Sequence, residues 1–439
     1  MPSTNSPSIE IEPRSALIDV AVSITLSGFA PNEPVTVSAH ATDANGVDFR
    51  SAVVLLTDDS GNVDLATSTP INGSYLVADA TGLLWSLQAP VEDAIRGLNS
   101  RFLDSRLEPY TVTITAEGIS GRTATATATR IPFSPEVVRS DIDDAELVGT
   151  VFLPAATTPL PVVLVVPGSD GGVPEHLAAL YASHGYAAVA LAYFKAGDRV
   201  PATLTEIPLE YFERAFDWIA QHPGLDEHRI VINGTSRGGE LALLLGARYP
   251  QLHAVIAWVP SDHLHPAIQA SRAEPERASW THGGQDLPYL SHQINPSAPG
   301  PLDRRDGGYV GSVAHLRRSA DAAAVSAAEI AVEKTNGPIL IISGRDDTLW
   351  PSAVYGDRVL ARLSKNGFAH EVTHLSYENA GHTIGVPNSP ATLNTLYWTQ
   401  PGATEEPLVL PLGGTPQGIA AARADAWPRV LDFLARHTV

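Results

Sequence analysis

Cysteine is absent from this chain of 439 residues. That absence excludes disulfides, thiolate metal sites and a cysteine nucleophile. Positive charge is scarce: 28 Lys and Arg stand against 48 Asp and Glu, for a formal net charge of −20. So acidic a surface repels phosphate backbones, and no nucleic-acid partner is expected. A small anionic substrate needs only a local basic patch. No apolar run approaches the roughly 20 residues of a membrane-spanning helix, so no membrane partner is expected either. The opening MPSTNSPSIEIEP has neither a basic n-region nor an apolar h-region, and RHTV is not a peroxisomal address. The expectation is a cytoplasmic, bacterial-type protein. Neither G-x-G-x-x-G nor a phosphate-binding P-loop occurs, and no cofactor is expected.

What is present reads as two parts. Residues 8 to about 132 alternate apolar and polar residues at period two, as in PVTVSAHATD (Pro34–Asp43) and YTVTITAEG (Tyr110–Gly118). Turn signals at Asn45-Gly46, Ser60-Gly61, Asn72-Gly73 and Ser120-Gly121 separate the runs. Short strands at this spacing predict an antiparallel, immunoglobulin-like β-sandwich. The dense apolar patch GLLWSLQAP (Gly82–Pro90) reads as packing rather than as a solvated loop.

After Pro135 the pattern changes. Continuous apolar strands (PVVLVVPG, YAAVALAYF, RIVING, HAVIAWVP, GPILIISG) alternate with helical segments (EHLAALYASHG, PLEYFERAFDWIAQHP, ELALLLGARYP). That order predicts an α/β domain, a mostly parallel sheet with helices on both faces. The expected division is a β-sandwich over 1–135 and a catalytic domain over 136–439. The tract RRSADAAAVSAAEIAVEK reads as one ordinary helix.

Gly234-Thr235-Ser236-Arg237-Gly238 fits G-x-S-x-G between a buried strand and an apolar helix. A serine hydroxyl is a poor nucleophile and must be held clear of the sheet beside a base. A sharp strand-to-helix turn does this, and glycines two before and two after remove clashing Cβ atoms. The helix N-terminus then aims backbone N–H groups at developing negative charge. In chain order the acid should follow, then the histidine. Asp346 and Asp347 lie just past GPILIISG, at a strand C-terminal end. The spacing G-x-x-D-x-x-x-P from Gly344 to Pro351, usual for this acid in α/β-hydrolases, favours Asp347. Asp346 has the simpler role of a helix cap. His382, in the late loop YENAGHTIG, is the expected base. His370 and His374 fall inside the preceding strand pattern. The second oxyanion donor is expected from the glycine-rich loop Pro167–Gly172, at the N–H of Ser169 or Asp170, paired with the N–H of Arg237. The stretch His263–Gln293 clusters four histidines without any metal-ligand spacing, and no metal is expected. Lys195, Arg199 and Arg237 are basic residues in plausible places for a phosphate-bearing substrate, although surface lysine and arginine are usually just solvated, and no CoA-binding surface is identified.

These residues and their order resemble the family of bile acid-CoA:amino acid N-acyltransferases and type-I acyl-CoA thioesterases. The resemblance runs through EPRSALIDVAVSITLSGFAPNEPVTVSA, GLLWSL, ALAYF, LEYFERAFDWIAQHP, GTSRGGELALLLGARYP, SGRDDTLWPSA, YENAGHTI and GGTPQGIAAARADAWPRVLDFLARH. It implies a β-sandwich followed by an α/β-hydrolase domain, with nucleophile, acid and base on Ser236, Asp347 and His382. The amino-acid-conjugating members resemble cysteine enzymes and the thioesterases serine enzymes. Serine here implies hydrolysis of an acyl thioester, with acyl-CoA or an acyl carrier protein as partner. Acyl transfer to an amine or alcohol, and simple carboxylester hydrolysis, are the alternatives.

Overall fold

The computed structural model describes residues 6–43, 46–90, 107–268, 275–293, 304–305, 308–398 and 408–438. They fall into two units. One comprises Met1–Phe133, Val386–Asn394 and Thr415–Ala424; the other Ser134–Gly385, Thr395–Gly414 and Asp425–Val439.

In the first unit, period-two sequence becomes half-buried strand. Pro34–Thr42 turns Val35, Val37, Ala39 and Ala41 inward, and Asp48–Leu56 does the same with Phe49, Ser51, Val53 and Leu55. These strands belong to a six-stranded sheet in the order Ser15–Leu17, Thr123–Ile131, Tyr110–Gly118, Pro34–Thr42, Asp48–Leu56, Asn72–Gly73. A three-stranded antiparallel sheet holds Ser8–Glu12, Ser23–Ser27 and Val63–Asp64. Ile11, Ile24 and Leu26 of the small sheet and Val35, Phe49, Val112 and Ile114 of the large one are buried. Gly82–Trp85 forms a short helix whose four residues are all buried, and the Ser51 hydroxyl donates to the Leu83 carbonyl at 2.7 Å. Gly61 and Gly121 take positive φ in their turns. Asn72-Gly73 is not a turn: it pairs with Val53 and Val54 as a short edge strand. The glycine is needed because any Cβ there would fall on the Ala52 carbonyl. Asn45 lies outside the described residues.

The second unit is built on an eight-stranded sheet. Its strands are β1 (Val138–Asp141), β2 (Val148–Leu153), β3 (Leu160–Val166), β4 (Ala187–Ala192), β5 (Leu225–Thr235), β6 (Leu252–Trp258), β7 (Ile339–Gly344) and β8 (Val372–Tyr377). Their spatial order is β1-β2-β4-β3-β5-β6-β7-β8. Pairs from β4 through β8 are parallel; β1 and β2 are antiparallel to their neighbours. Every residue of β4 and β7 is buried, which is why β4 is apolar throughout and β7 apolar but for Ser343, rather than alternating. Helices Glu175–Ser183, Glu210–Gln221, Arg237–Arg248 and Ser352–Lys365 follow β3, β4, β5 and β7. This is the α/β-hydrolase fold. The alanine-rich tract departs from expectation: Arg317 and Arg318 end the helix Gly311–Arg318, Ala322–Ala328 forms a separate helix, and Val332–Lys334 makes a 3-10 turn. Asp321 caps the helix Ala322–Ala328, its carboxylate accepting the amides of Ala323 and Ala324.

Strand order decides what can meet. β3 and β5 are neighbours in register, Val166 opposite Gly234, so the loop after β3 and the turn after β5 leave the same sheet edge side by side. β7 and β8 pair with Gly344 opposite Tyr377, so the loops that follow them also emerge together.

Candidate active site

At the end of β5 the backbone turns through Ser236 with φ +59° and ψ −118°, a conformation that L-residues rarely adopt. The surroundings hold it there. The Ser236 amide donates to the Trp258 carbonyl at 2.8 Å. A Cβ on Gly234 would fall on the Gly238 carbonyl, and one on Gly238 would lie 2.5 Å from the Pro167 carbonyl oxygen. A Cβ on Gly239 would lie 2.8 Å from the Trp258 carbonyl oxygen. Three backbone segments thus close on the turn, and only glycine fits at those positions.

The Ser236 hydroxyl lies 2.9 Å from His382 Nε2, and His382 Nδ1 lies 2.8 Å from Asp347 Oδ2. Ser236 and His382 each retain 8% of their surface exposure and Asp347 5%. The chain is therefore sheltered but reachable at its serine end. The His382 amide donates to the Leu412 carbonyl at 2.7 Å, fixing the loop. The Trp350 ring stands edge-on to the imidazole at 5.8 Å. Asp347 Oδ1 accepts the amides of Leu349 (3.0 Å) and Trp350 (3.3 Å), and Oδ2 accepts the Ser352 hydroxyl at 2.6 Å as well as His382. Asp346 lies beside it with its amide on the Ala380 carbonyl. The short-range turn contacts expected of Asp346 are made by Asp347. Ser352 was not singled out from sequence; the signal available was a small hydroxyl at the first residue of the helix after the acid loop.

The loop after β3 borders Ser236: a Cβ on Gly168 would lie 3.6 Å from the Ser236 Cβ. Ser169 is exposed and Asp170 half-buried at its crest. Within the loop, Gly171 N–H donates to the Gly168 carbonyl, and Gly172 N–H donates to the Phe194 carbonyl. Arg237 opens the helix, where the first backbone N–H groups have no partner within the helix itself.

The Arg237 side chain is not a solvated surface charge. It is buried, with Nη1 3.2 Å from Glu240 Oε2 and Nη2 donating to the His265 carbonyl (3.2 Å) and to the Ser279 hydroxyl. Glu240 is fully buried and also accepts from His265 Nδ1 (2.9 Å) and Trp280 Nε1 (3.1 Å). Burial raises the Glu240 carboxyl above its usual range, while the Arg237 guanidinium pulls it back. Burial drives the neighbouring His265 and His315 well below the ordinary imidazole range, and nearby positive groups add to this. Glu240 falls on a helix that reads as apolar, so nothing in the local pattern announces a buried ion pair. Lys195 and Arg199 are exposed, and Arg199 donates to the Asp144 carbonyl at 3.0 Å.

Three of the four histidines of the His263–Gln293 stretch line up around His315, with ring centroids 4.6 Å apart for His263–His265, 5.0 Å for His265–His315 and 6.2 Å for His315–His292, while His282 approaches Glu213 at 3.7 Å. His263 and His265 are buried, His263 against Asp262 at 2.6 Å; His282 and His292 are exposed. Residues 269–274 of that stretch lie outside the described residues.

A second Ser–His–Asp arrangement sits in the same sheet. Ser343 of β7 meets His374 Nε2 of β8 at 2.6 Å, and His374 Nδ1 lies 3.2 Å from Asp357. Ser343 is inaccessible within a buried strand. It lacks the access that Ser236 has. His370, expected inside the strand with His374, precedes it, since β8 begins at Val372.

Comparison with known proteins gives two family matches. One, described as BAAT / Acyl-CoA thioester hydrolase C terminal, covers residues 207–439. The other, Acyl-CoA thioester hydrolase/BAAT N-terminal region, covers residues 19–144. Among curated relatives, the mouse (Mus musculus) bile acid-CoA:amino acid N-acyltransferase is 28% identical over 438 residues, covering 97% of this chain and 96% of that one. The mouse peroxisomal succinyl-coenzyme A thioesterase is 28% identical over 423 residues, covering 95% and 94%. The human (Homo sapiens) acyl-coenzyme A thioesterase 1 is 27% identical over 420 residues, covering 95% and 94%.

Proposed function

The chain belongs to the family of BAAT and acyl-CoA thioester hydrolases, and from that premise we propose that it hydrolyses an acyl thioester, acyl-CoA foremost, through an acyl-serine intermediate. The observation that carries this reading is the buried line Ser236–His382–Asp347, with links of 2.9 and 2.8 Å. Catalysis belongs to residues 136–439 in this reading, and the setting is cytoplasmic.

The chemistry follows from those contacts. His382 Nε2 takes the Ser236 proton as Oγ attacks the thioester carbonyl. Asp347 holds the Nδ1 proton, fixing the tautomer and stabilising the imidazolium that forms. Negative charge on the carbonyl oxygen is met by the N–H of Arg237 and by that of Ser169 or Asp170. The thiol leaves with the proton from His382. Water then enters, gives its proton to the same nitrogen, and attacks the acyl-serine. The acid departs and Ser236 recovers its proton.

The second reading is transfer of the acyl group to an amine, since relatives with either kind of name match over nearly the whole chain. An acyl-serine is an oxygen ester, less prone to attack by an amine than the thioester an enzyme cysteine forms. Serine at position 236 therefore favours water. The test is a panel of acyl-CoAs, with and without glycine or taurine, followed by free thiol and product mass, with Ser236→Ala as control. Free acid lost in the variant supports hydrolysis; amide product moves the protein to the transferases. Absence of turnover with every CoA ester sinks the CoA assignment and directs attention to carrier-bound thioesters and simple esters.

A further inference from the structure

Asp347 has more donors than a triad acid needs. Both amide contacts fall on Oδ1, but the Ser352 hydroxyl falls on Oδ2, the oxygen that His382 uses. Its 2.6 Å contact is shorter than the 2.8 Å contact from His382. Ser352 has no exposed surface, so water does not compete for its proton. The residue opens the helix Ser352–Lys365, and its own amide is engaged by the Trp350 carbonyl at 2.8 Å. The hydroxyl is thereby aimed at the carboxylate by the helix that follows it.

We propose that Ser352 is a positioning residue that sets the proton affinity of the His382–Asp347 pair. A donor on the shared oxygen withdraws charge from the carboxylate. The carboxylate then holds His382 in place without taking its Nδ1 proton, and it stabilises the imidazolium less than an undonated carboxylate does. His382 consequently releases its Nε2 proton at lower pH and is ready as a base over a wider range. Among the described residues, the charged side chain in hydrogen-bond reach of His382 is Asp347; its other close neighbours are the Ser236 hydroxyl and the Trp350 ring. Neither of these titrates where His382 does.

The inference rests on Ser236 as nucleophile, and the test separates the two. The full-length protein is reacted with a fluorophosphonate, and the rate of labelling at Ser236 is measured against pH. This needs no knowledge of the natural acyl group. Ser352→Ala should move the acid limb of the profile upward by about half a pH unit or more. Ser352→Cys, nearly isosteric and a weaker donor, should move it the same way by less. An unmoved limb in both variants overturns the proposal, whether or not the plateau rate or melting temperature falls, because a purely packing role leaves the limb in place. Failure of the wild type to label at Ser236 overturns the serine-hydrolase reading itself and takes this inference with it.

Discussion

Replacing Glu240 by alanine tests the reasoning about the buried charges behind the nucleophile turn. The carboxylate accepts from Arg237, His265 and Trp280, and neither it nor the guanidinium is open to water. Removing it strands a cation that is only 4% exposed. Breaking such a pair costs about 3–5 kcal/mol, because the remaining charge keeps its desolvation penalty and loses its partner. At roughly 2–4 °C per kcal/mol for a large domain, the melting temperature should fall by about 6–20 °C. The assay is thermal unfolding by circular dichroism at pH 8, at two scan rates to detect irreversibility. The double variant Arg237→Met/Glu240→Leu should recover part of the loss, since it removes the stranded cation while His265 Nδ1 and Trp280 Nε1 still lose their acceptor. It should also keep activity within about tenfold, because the proposed oxyanion donor is the Arg237 backbone N–H, which the exchange leaves in place. A single variant within about 0.5 kcal/mol of wild type, as for a surface change, refutes the argument.

Three further outcomes follow from the same contacts. Asp347→Asn should lower kcat by about ten-thousandfold, as expected when the acid no longer fixes the tautomer, whereas Asp346→Asn should stay within a few fold; equal effects would reverse the choice between them. Ser343→Ala should leave thioester turnover and fluorophosphonate labelling unchanged and cost about 1 kcal/mol of stability, measured by urea unfolding; lost turnover at retained stability would make the buried set functional. Stability should decline as pH falls below about 6.5, at up to roughly 1.4 kcal/mol per pH unit for each of His265 and His315. Burial depresses both in the folded state, so the unfolded chain binds the extra protons, and acid favours it. Urea midpoints at pH 7 and pH 5.5 check the sign; a flat response refutes it.

The parts of this protein legible in its sequence are those governed by local pattern and by chain order. Period two along Pro34–Thr42 and Tyr110–Gly118, the all-apolar β4 and the nearly all-apolar β7 each state which faces are buried. Ser236, Asp347 and His382 stand out because strand ends and loop order single them out, and the structure brings those three side chains within hydrogen-bond reach. What local pattern misses is set by distant partners. Glu240 and Arg237 read as solvated charges at the start of a helix until His265, Ser279 and Trp280 meet them. Asn72-Gly73 carries a turn signature, but pairing with Val53 and Val54 wins. The alanine-rich tract has helical composition throughout, yet the helix of its own runs only over Ala322–Ala328, from its cap at Asp321. Ser352 has no signature at all; its meaning comes from an oxygen five residues earlier in the chain.

The glycine lock around Ser236 has an evolutionary consequence. Gly234, Gly238 and Gly239 are each pinned by main-chain atoms, which no side-chain substitution elsewhere can move aside. Variation at those three positions is closed, while the side chain between them points toward His382. Exchange of a single atom there, oxygen for sulfur, leaves the scaffold untouched and alters only how readily the acyl-enzyme yields to water or to an amine. A serine-to-cysteine change at this turn is therefore open to variation where a change at any of the three glycines is not.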